Sequence, residues 1–334
     1  MQEIERAKFE ITSAQIFVAA FLAFAAVGAA LIGAFPLQLS ILTIFLFAGV
    51  HNWFEFRYFA ARMPLAWGKS RAFYSVGIGG VIVLTAVYLA IYFGSGNWLW
   101  EAAGWRLAVS VWNTALVLWI GVLFYLRGRQ KPRADWSWAF PAAFFAAAFV
   151  WLAPQYFSLA LVYLHPFIAL WFLERQIRRT RREWLGGFRF CLLTIPVFVA
   201  ALYFLFAGAP DLSNESNLFW RITEHAGSGI LPSVSSHFLV ATHVFLETIH
   251  YAVWILLIPL VDRRALPWRW REIPLAADKK GFPKIVFVIL TVSLLFVFAF
   301  WLGFAVDYAT TRDVYFAFAI AHVLAEFPFL VKML

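Results

Sequence analysis

Three short strings, HNWFE, HVFLE and HVLAE, carry the chemistry this chain has to offer. In each, a histidine precedes a glutamate by four positions: His51 and Glu55, His243 and Glu247, His322 and Glu326. At 100° per residue, that spacing leaves the two side chains roughly 40° apart on one helix face, one turn from each other. All three strings sit in segments apolar enough to cross a bilayer, where an ionised side chain costs at least ~2.5–3.5 kcal/mol. One such pair could neutralise itself through a hydrogen bond. That explanation serves one pair well and three poorly. His250 follows Glu247 by three residues on the same face, and His165 precedes Pro166 in another apolar segment.

The eight residues His51, Glu55, His165, His243, Glu247, His250, His322 and Glu326 are therefore candidate metal ligands. Imidazole nitrogen and carboxylate oxygen, without thiolate, suit iron, manganese or zinc. Helical bundles hold di-iron and di-manganese centres with glutamates and an i, i+3 Glu–His pair, the spacing of Glu247 and His250. The expected cofactor is a pair of irons, with Mn or Zn suiting the same donors. Glu55, Glu247 and Glu326 are the carboxylates able to move protons during catalysis. The remaining two of the seven histidines are set aside: His225 falls in a loop, and His237 is rotated roughly 120° from His243. Asn52 and Asn113 read as interhelical hydrogen-bonding groups. Tyr58, Tyr163 and Tyr251 are candidate donors behind the ligands.

The elements that must position these groups are apolar helices. Of the 334 residues, 63% are hydrophobic, 20% aromatic and only 13% charged, far from the balance of soluble domains. The pattern predicts an all-α, polytopic integral membrane bundle with about ten transmembrane helices in a single domain. Its spans fall near 12–34, 37–60, 72–94, 105–126, 137–153, 155–173, 188–208, 236–261, 283–306 and 314–333. Lys and Arg crowd alternate connections, such as RGRQKPR and ERQIRRTRREW, and nearly vanish from those between. That asymmetry places both termini in the cytoplasm of an inner (plasma) membrane. It also accounts for the net charge of +9 by topology and lipid contact, which argues against a nucleic-acid partner.

Tryptophans at span ends, among them Trp98, Trp100, Trp136, Trp138, Trp184 and Trp268, read as interfacial anchors. Pro154 marks a tight helical hairpin, and Pro166 is expected to break the hydrogen-bond ladder of its span. The one sizeable external loop, 209–235, reads as an amphipathic lid. The opening MQEIERAKFE is polar and mixed in charge, unlike a cleavable signal peptide. Lone Cys191 excludes an intrachain disulfide framework. The clustered His-x-x-His-His strings of membrane desaturases and alkane hydroxylases are absent.

These readings converge on a membrane-embedded non-haem metal oxidoreductase. Its substrate would be lipid-soluble: a carotenoid, an isoprenoid or an acyl chain. Its electron donor is unidentified. Two alternatives use the same groups: a proton- or divalent-metal-coupled transporter, and a haem- or quinone-linked subunit of a larger complex. On this reading, Glu247→Gln removes metal or activity from a protein that still inserts, and His225→Ala is silent, as metal analysis of the purified variants would report.

Overall fold

The computed structural model describes residues 12–94, 102–131, 135–213 and 215–334. The opening segment to Ile11, Trp98, Trp100 and part of the RGRQKPR loop lie outside the described residues. The described chain is helical without strands. In chain order the helices are α1 (Ser13–Ala34), α2 (Pro36–Ala60), α3 (Arg71–Phe93), α4 (Ala102–Gln130), α5 (Ala139–Leu152) and α6 (Pro154–Thr180). They continue as α7 (Leu185–Phe206), α8 (Asn217–His225), α9 (Ser236–Val261), α10 (Pro283–Val306) and α11 (Tyr308–Met333).

Nine helices among the described residues are long and apolar enough to cross a membrane. The segment expected as a span over 137–153 forms a helix of 14 residues, α5. At 1.5 Å per residue it reaches about 21 Å, short of a hydrocarbon core of about 30 Å. Large apolar side chains such as Phe144, Leu193 and Phe204 stay exposed, Phe204 to 84%, which is tenable only with lipid as the solvent. This is a multi-pass membrane protein.

Local chemistry sets the helix ends. Thr12 and Gln15 cap α1 reciprocally: the Gln15 N–H donates to Thr12 Oγ1 (3.3 Å) and the Thr12 N–H to Gln15 Oε1 (2.8 Å). Ala153 alone separates α5 from α6, the tight connection marked by Pro154. Asp307 alone separates α10 from α11 and accepts from the Thr310 N–H (3.1 Å). Pro166 does not end its helix; α6 runs through it to Thr180. Two π-helical turns interrupt the regular ladder, Ile44–Ala48 within α2 and Val253–Leu257 within α9.

Close contacts group the residues into two compact units: Met1–Ser40 with Leu173–Ile249, and Ile41–Phe172 with His250–Leu334. In the first, α1 lies against α7. Phe17 stacks on Trp184 (centroids 4.9 Å), whose indole N–H donates to Ser13 Oγ (3.1 Å). His237 points away from the other histidines, its Nε2 paired with the Gly33 carbonyl (2.7 Å) and its ring stacked on Phe206. Ser236 and Asp211 pin the end of the 209–235 loop: the Ser236 N–H donates to Asp211 (2.7 Å), and Ser236 Oγ accepts from the Leu212 N–H (2.8 Å). These bonds hold the exposed Asp211 carboxyl below its ordinary range. Ser216 caps α8, whose Trp220 is exposed and Ile222 buried, as an amphipathic lid requires.

In the second unit, Phe73, Leu84, Trp112, Leu116, Trp119 and Leu324 join α3, α4 and α11 in one core. Trp112 and Trp119 donate their indole N–H groups to the Leu84 and Val76 carbonyls, both at 2.9 Å. A second core, with Ile44, Ala48, Tyr251, Phe304 and Tyr315, joins the residues of α2, α9, α10 and α11 in this unit. Both asparagines make interhelical bonds, Asn52 to Tyr315 Oη (3.3 Å) and Asn113 to Ser158 Oγ (3.2 Å). Buried Arg57 donates to the Arg264 and Arg269 carbonyls and anchors the 262–273 connection.

The α3–α4 contact depends on glycine. A Cβ at Gly80 would lie 1.9 Å from Trp119 Nε1, an atom held in place by its bond to Val76. Gly80→Val is expected to destabilise the purified protein by about 1–3 kcal/mol, read as a lower midpoint of thermal unfolding in detergent. Gly79, where an added Cβ meets nothing within 4 Å, provides the matched control.

Candidate metal centre

Six of the eight candidate ligands meet in the second unit. His51, Glu55, His250 and His322 form one group, and His165, His250 and Glu326 another. In each, one ligand atom per residue lies within 4.8 Å of the others. Around a metal with bonds of about 2.1 Å, ligand atoms stand from about 3 Å apart when adjacent to about 4.2 Å when opposite. A small inward movement of side chains therefore suffices to bind an ion.

Each donor arrives by a local route. One helical turn separates His51 from Glu55 on α2 and His322 from Glu326 on α11, so each helix presents an imidazole and a carboxylate together. His165 comes from α6 and His250 from α9. The two π turns flank the centre: Ile44–Ala48 ends three residues before His51, and Val253–Leu257 begins three residues after His250. Such turns inside α-helices are frequent at functional sites, since they free carbonyls and re-aim side chains. Here His51 Nδ1 pairs with the Phe47 carbonyl at 3.2 Å. Donation to that carbonyl makes Nδ1 the protonated nitrogen and leaves Nε2 a bare lone pair, the arrangement common in metal-ligating histidines.

The imidazoles crowd one another. Ring centroids lie 5.1 Å apart for His51 and His250, 5.1 Å for His51 and His322, and 4.5 Å for His165 and His250. His322 Nε2 and His165 Nε2 face each other at 3.2 Å, hydrogen-bonding distance when one of them carries its ring proton. His165 Nδ1 stands 3.0 Å from Glu326 Oε2 without hydrogen-bond geometry. The Glu55 and Glu326 carboxylates are close enough to feel each other's charge.

Burial is deep. His51 and Glu55 are 1% exposed, His250 2% and Glu326 0%, while His165 and His322 are partly buried. Around them stand aromatic walls, with the Tyr251 ring 4.5 Å from His51 and Trp254, Tyr58 and Phe172 packed together beyond His250. Yet His51 Nε2, both oxygens of Glu55 and of Glu326, both nitrogens of His250 and Nδ1 of His322 have no hydrogen-bond partner within the protein. At about 1–3 kcal/mol per unsatisfied buried group, so many would consume most of a typical stability of ~5–15 kcal/mol. The arrangement suits a cation, which takes up lone pairs and carboxylate charge together, far better than it suits packing.

His243 and Glu247 are placed elsewhere, in the first unit. Their side chains are 3.7 Å apart, and the His225 ring lies 5.0 Å from that of His243. Neither metal-capable group among the described residues includes them. Sequence reasoning set His225 aside as a loop residue. No spacing rule could have paired it with His243, because the turn after α8 decides where that ring lands. Comparison with known protein families, curated proteins and solved structures finds no match to this chain.

A metal bound by these carboxylates would stabilise the folded protein by mass action. Stripping the wild type with a chelator is expected to lower its thermal midpoint, and adding Fe(II) or Zn(II) back to restore it. Glu326→Gln and His250→Ala should respond to neither treatment. Metal-free Glu326→Gln should be at least as stable as metal-free wild type, since it removes a buried charge.

Proposed function

We propose that the second unit holds a non-haem metal centre, preferentially two irons, and that the protein is an oxidoreductase acting on a lipid-soluble substrate in the inner (plasma) membrane. The observation that carries this reading is the convergence of four imidazoles and two carboxylates, from four helices, on one buried volume without protein partners for most of their donor atoms. His165, His250 and Glu326 compose the two-histidine, one-carboxylate set that suits non-haem iron. His51, Glu55, His250 and His322 supply a second set, richer in nitrogen. Only His250 belongs to both; as a neutral imidazole it offers one lone pair and so would hold one ion, its other nitrogen carrying the ring proton.

Bound there, the metal would supply redox and Lewis-acid chemistry that amino-acid side chains lack. The chain's own residues supply the rest. His51, oriented through the Phe47 carbonyl, keeps its lone pair aimed inward. Glu55 and Glu326, each one turn after a histidine of the cluster, are the carboxylates that would take up or release protons during turnover. The aromatic walls keep water out and match a carotenoid, isoprenoid or acyl chain better than a polar metabolite. Electrons would come from a partner protein.

The deciding experiment is elemental analysis of detergent-purified protein, with an absorption spectrum of the same sample. About two irons per chain without a haem band is the expected result. A haem band would favour an electron-transfer subunit. Absence of metal after attempted reconstitution would overturn the reading and favour proton or solute transport by the same groups. With Glu247 in the first unit, the weight of the ligand test passes to Glu326: Glu326→Gln is expected to lose metal, and Glu247→Gln to retain it.

A further inference from the structure

A second polar cluster in the second unit has no part in the metal centre. It lies where the start of α3 meets the ends of α4 and α11. Lys332 Nζ donates to Ser70 Oγ and to Gln130 Oε1, both at 2.8 Å. The same Gln130 oxygen lies 3.4 Å from an Arg127 guanidinium nitrogen. Arg127 is 7% exposed, and its Nε has no hydrogen-bond partner. Two cations thus share one neutral acceptor, and among the described residues neither meets a carboxylate. The acid nearest to Arg127 in the sequence, Asp135, accepts instead from the Ser137 N–H (2.9 Å).

The last turn of a helix favours cations, which explains why Arg127 and Lys332 are tolerated there. It does not explain a buried guanidinium beside a partly buried ammonium with no carboxylate partner among the described residues. The start of α3 adds an independent feature. Ser70 occupies the N-cap of this 23-residue helix but makes no capping bond, its hydroxyl being held by Lys332. The Arg71 N–H that opens α3 is donated to the Gly68 carbonyl of the preceding 3-10 turn, so the helix start contributes the positive end of its dipole. Exposed Lys69 and Arg71 flank the same point.

We infer that this cluster binds a phosphate group, and that its source is the headgroup of an anionic phospholipid. Arg127 Nε and Lys332 Nζ supply charged donors to a group with several acceptor oxygens, beside the positive end of the α3 dipole. The cluster sits at the ends of three apolar helices, the level at which lipid headgroups lie, and basic pockets between transmembrane helices are known lipid sites. The bound lipid would tie α3, α4 and α11 together at the end of the bundle away from the Asp307 turn.

The test is thermal unfolding of the full chain in neutral detergent, with phosphatidylglycerol, phosphatidylcholine or inorganic phosphate added. Phosphatidylglycerol is expected to raise the wild-type midpoint by roughly 2–4 °C, and phosphatidylcholine not to. Lys332→Gln and Arg127→Gln should each need at least tenfold more phosphatidylglycerol for the same shift, while Arg129→Gln, at an exposed position, should match the wild type. Lys332 is the less buried of the two cations, so its variant serves if Arg127→Gln does not fold. Inorganic phosphate that reproduces the whole shift would keep the site and reassign its source to a free anion. Equal shifts from the two lipids, or a Lys332→Gln protein with undiminished response, would overturn the proposal.

Discussion

A bilayer core offers no water to a polar group that fails to find a partner. In a soluble protein, an unmatched carboxylate can turn outward at little cost. Here it must be neutralised, paired or bound to something, and each choice constrains its neighbours. The helical ladder satisfies the backbone, and the indole N–H groups of Trp112 and Trp119 reach carbonyls on the neighbouring helix. Asn52 and Asn113 do the same across helix pairs. Against that thorough satisfaction, the unpartnered nitrogens and oxygens of His51, Glu55, His250 and Glu326 stand apart. Single unpartnered atoms occur elsewhere, at Asn52 Oδ1, Arg57 Nε, Thr242 Oγ1 and Trp254 Nε1, but only here, among the described residues, do several imidazoles and carboxylates gather at one place.

The same constraint separates the two polar clusters by chemistry. At the candidate metal centre the groups are lone-pair donors, a set suited to a positive ion. At the ends of α3, α4 and α11 the charged groups are cations, a set suited to a negative one. The first cluster is walled by Trp254, Phe172 and Tyr58, with the Arg62 guanidinium on the Tyr58 ring; the second has exposed Lys69 and Arg71 beside it. An ion of the wrong sign would gain nothing at either.

Much of this was legible in the sequence, because a bilayer simplifies reading. Hydrophobic length marked the helices, and the i, i+4 rule put His51 with Glu55 and His322 with Glu326 before any neighbour was known. Shared direction through the membrane then brought His165 and His250 to a similar depth. What periodicity supplies is a face, and it is silent on what the face meets. His243 and Glu247 have the same spacing as the other pairs, yet they belong to a different unit and meet His225. The 14-residue length of α5 was hidden for a different reason: its flanking residues are apolar enough to look helical, and only the turn at Trp136–Trp138 trims it. Arg127 was read as part of a basic loop that signals topology, and charge counting cannot tell a cation facing lipid from one buried beside another cation.

The π turns at Ile44–Ala48 and Val253–Leu257 bear on how such a centre could arise. A π turn is in effect one extra residue absorbed by a helix without breaking it. In a regular ladder an extra residue would carry everything after it about 100° round the helix, whereas a π turn takes the residue up within one turn and leaves the following faces where they were. A helix whose lipid-facing and protein-facing stripes were already settled could thus gain a residue beside the site with no rearrangement of its partners. Losing one residue from 44–48 would restore a regular ladder with His51 and Glu55 on their present face, while straightening the turn with every residue kept would carry both round together. The geometry of the centre is in this sense written in the turns of two helices as much as in the identity of its ligands.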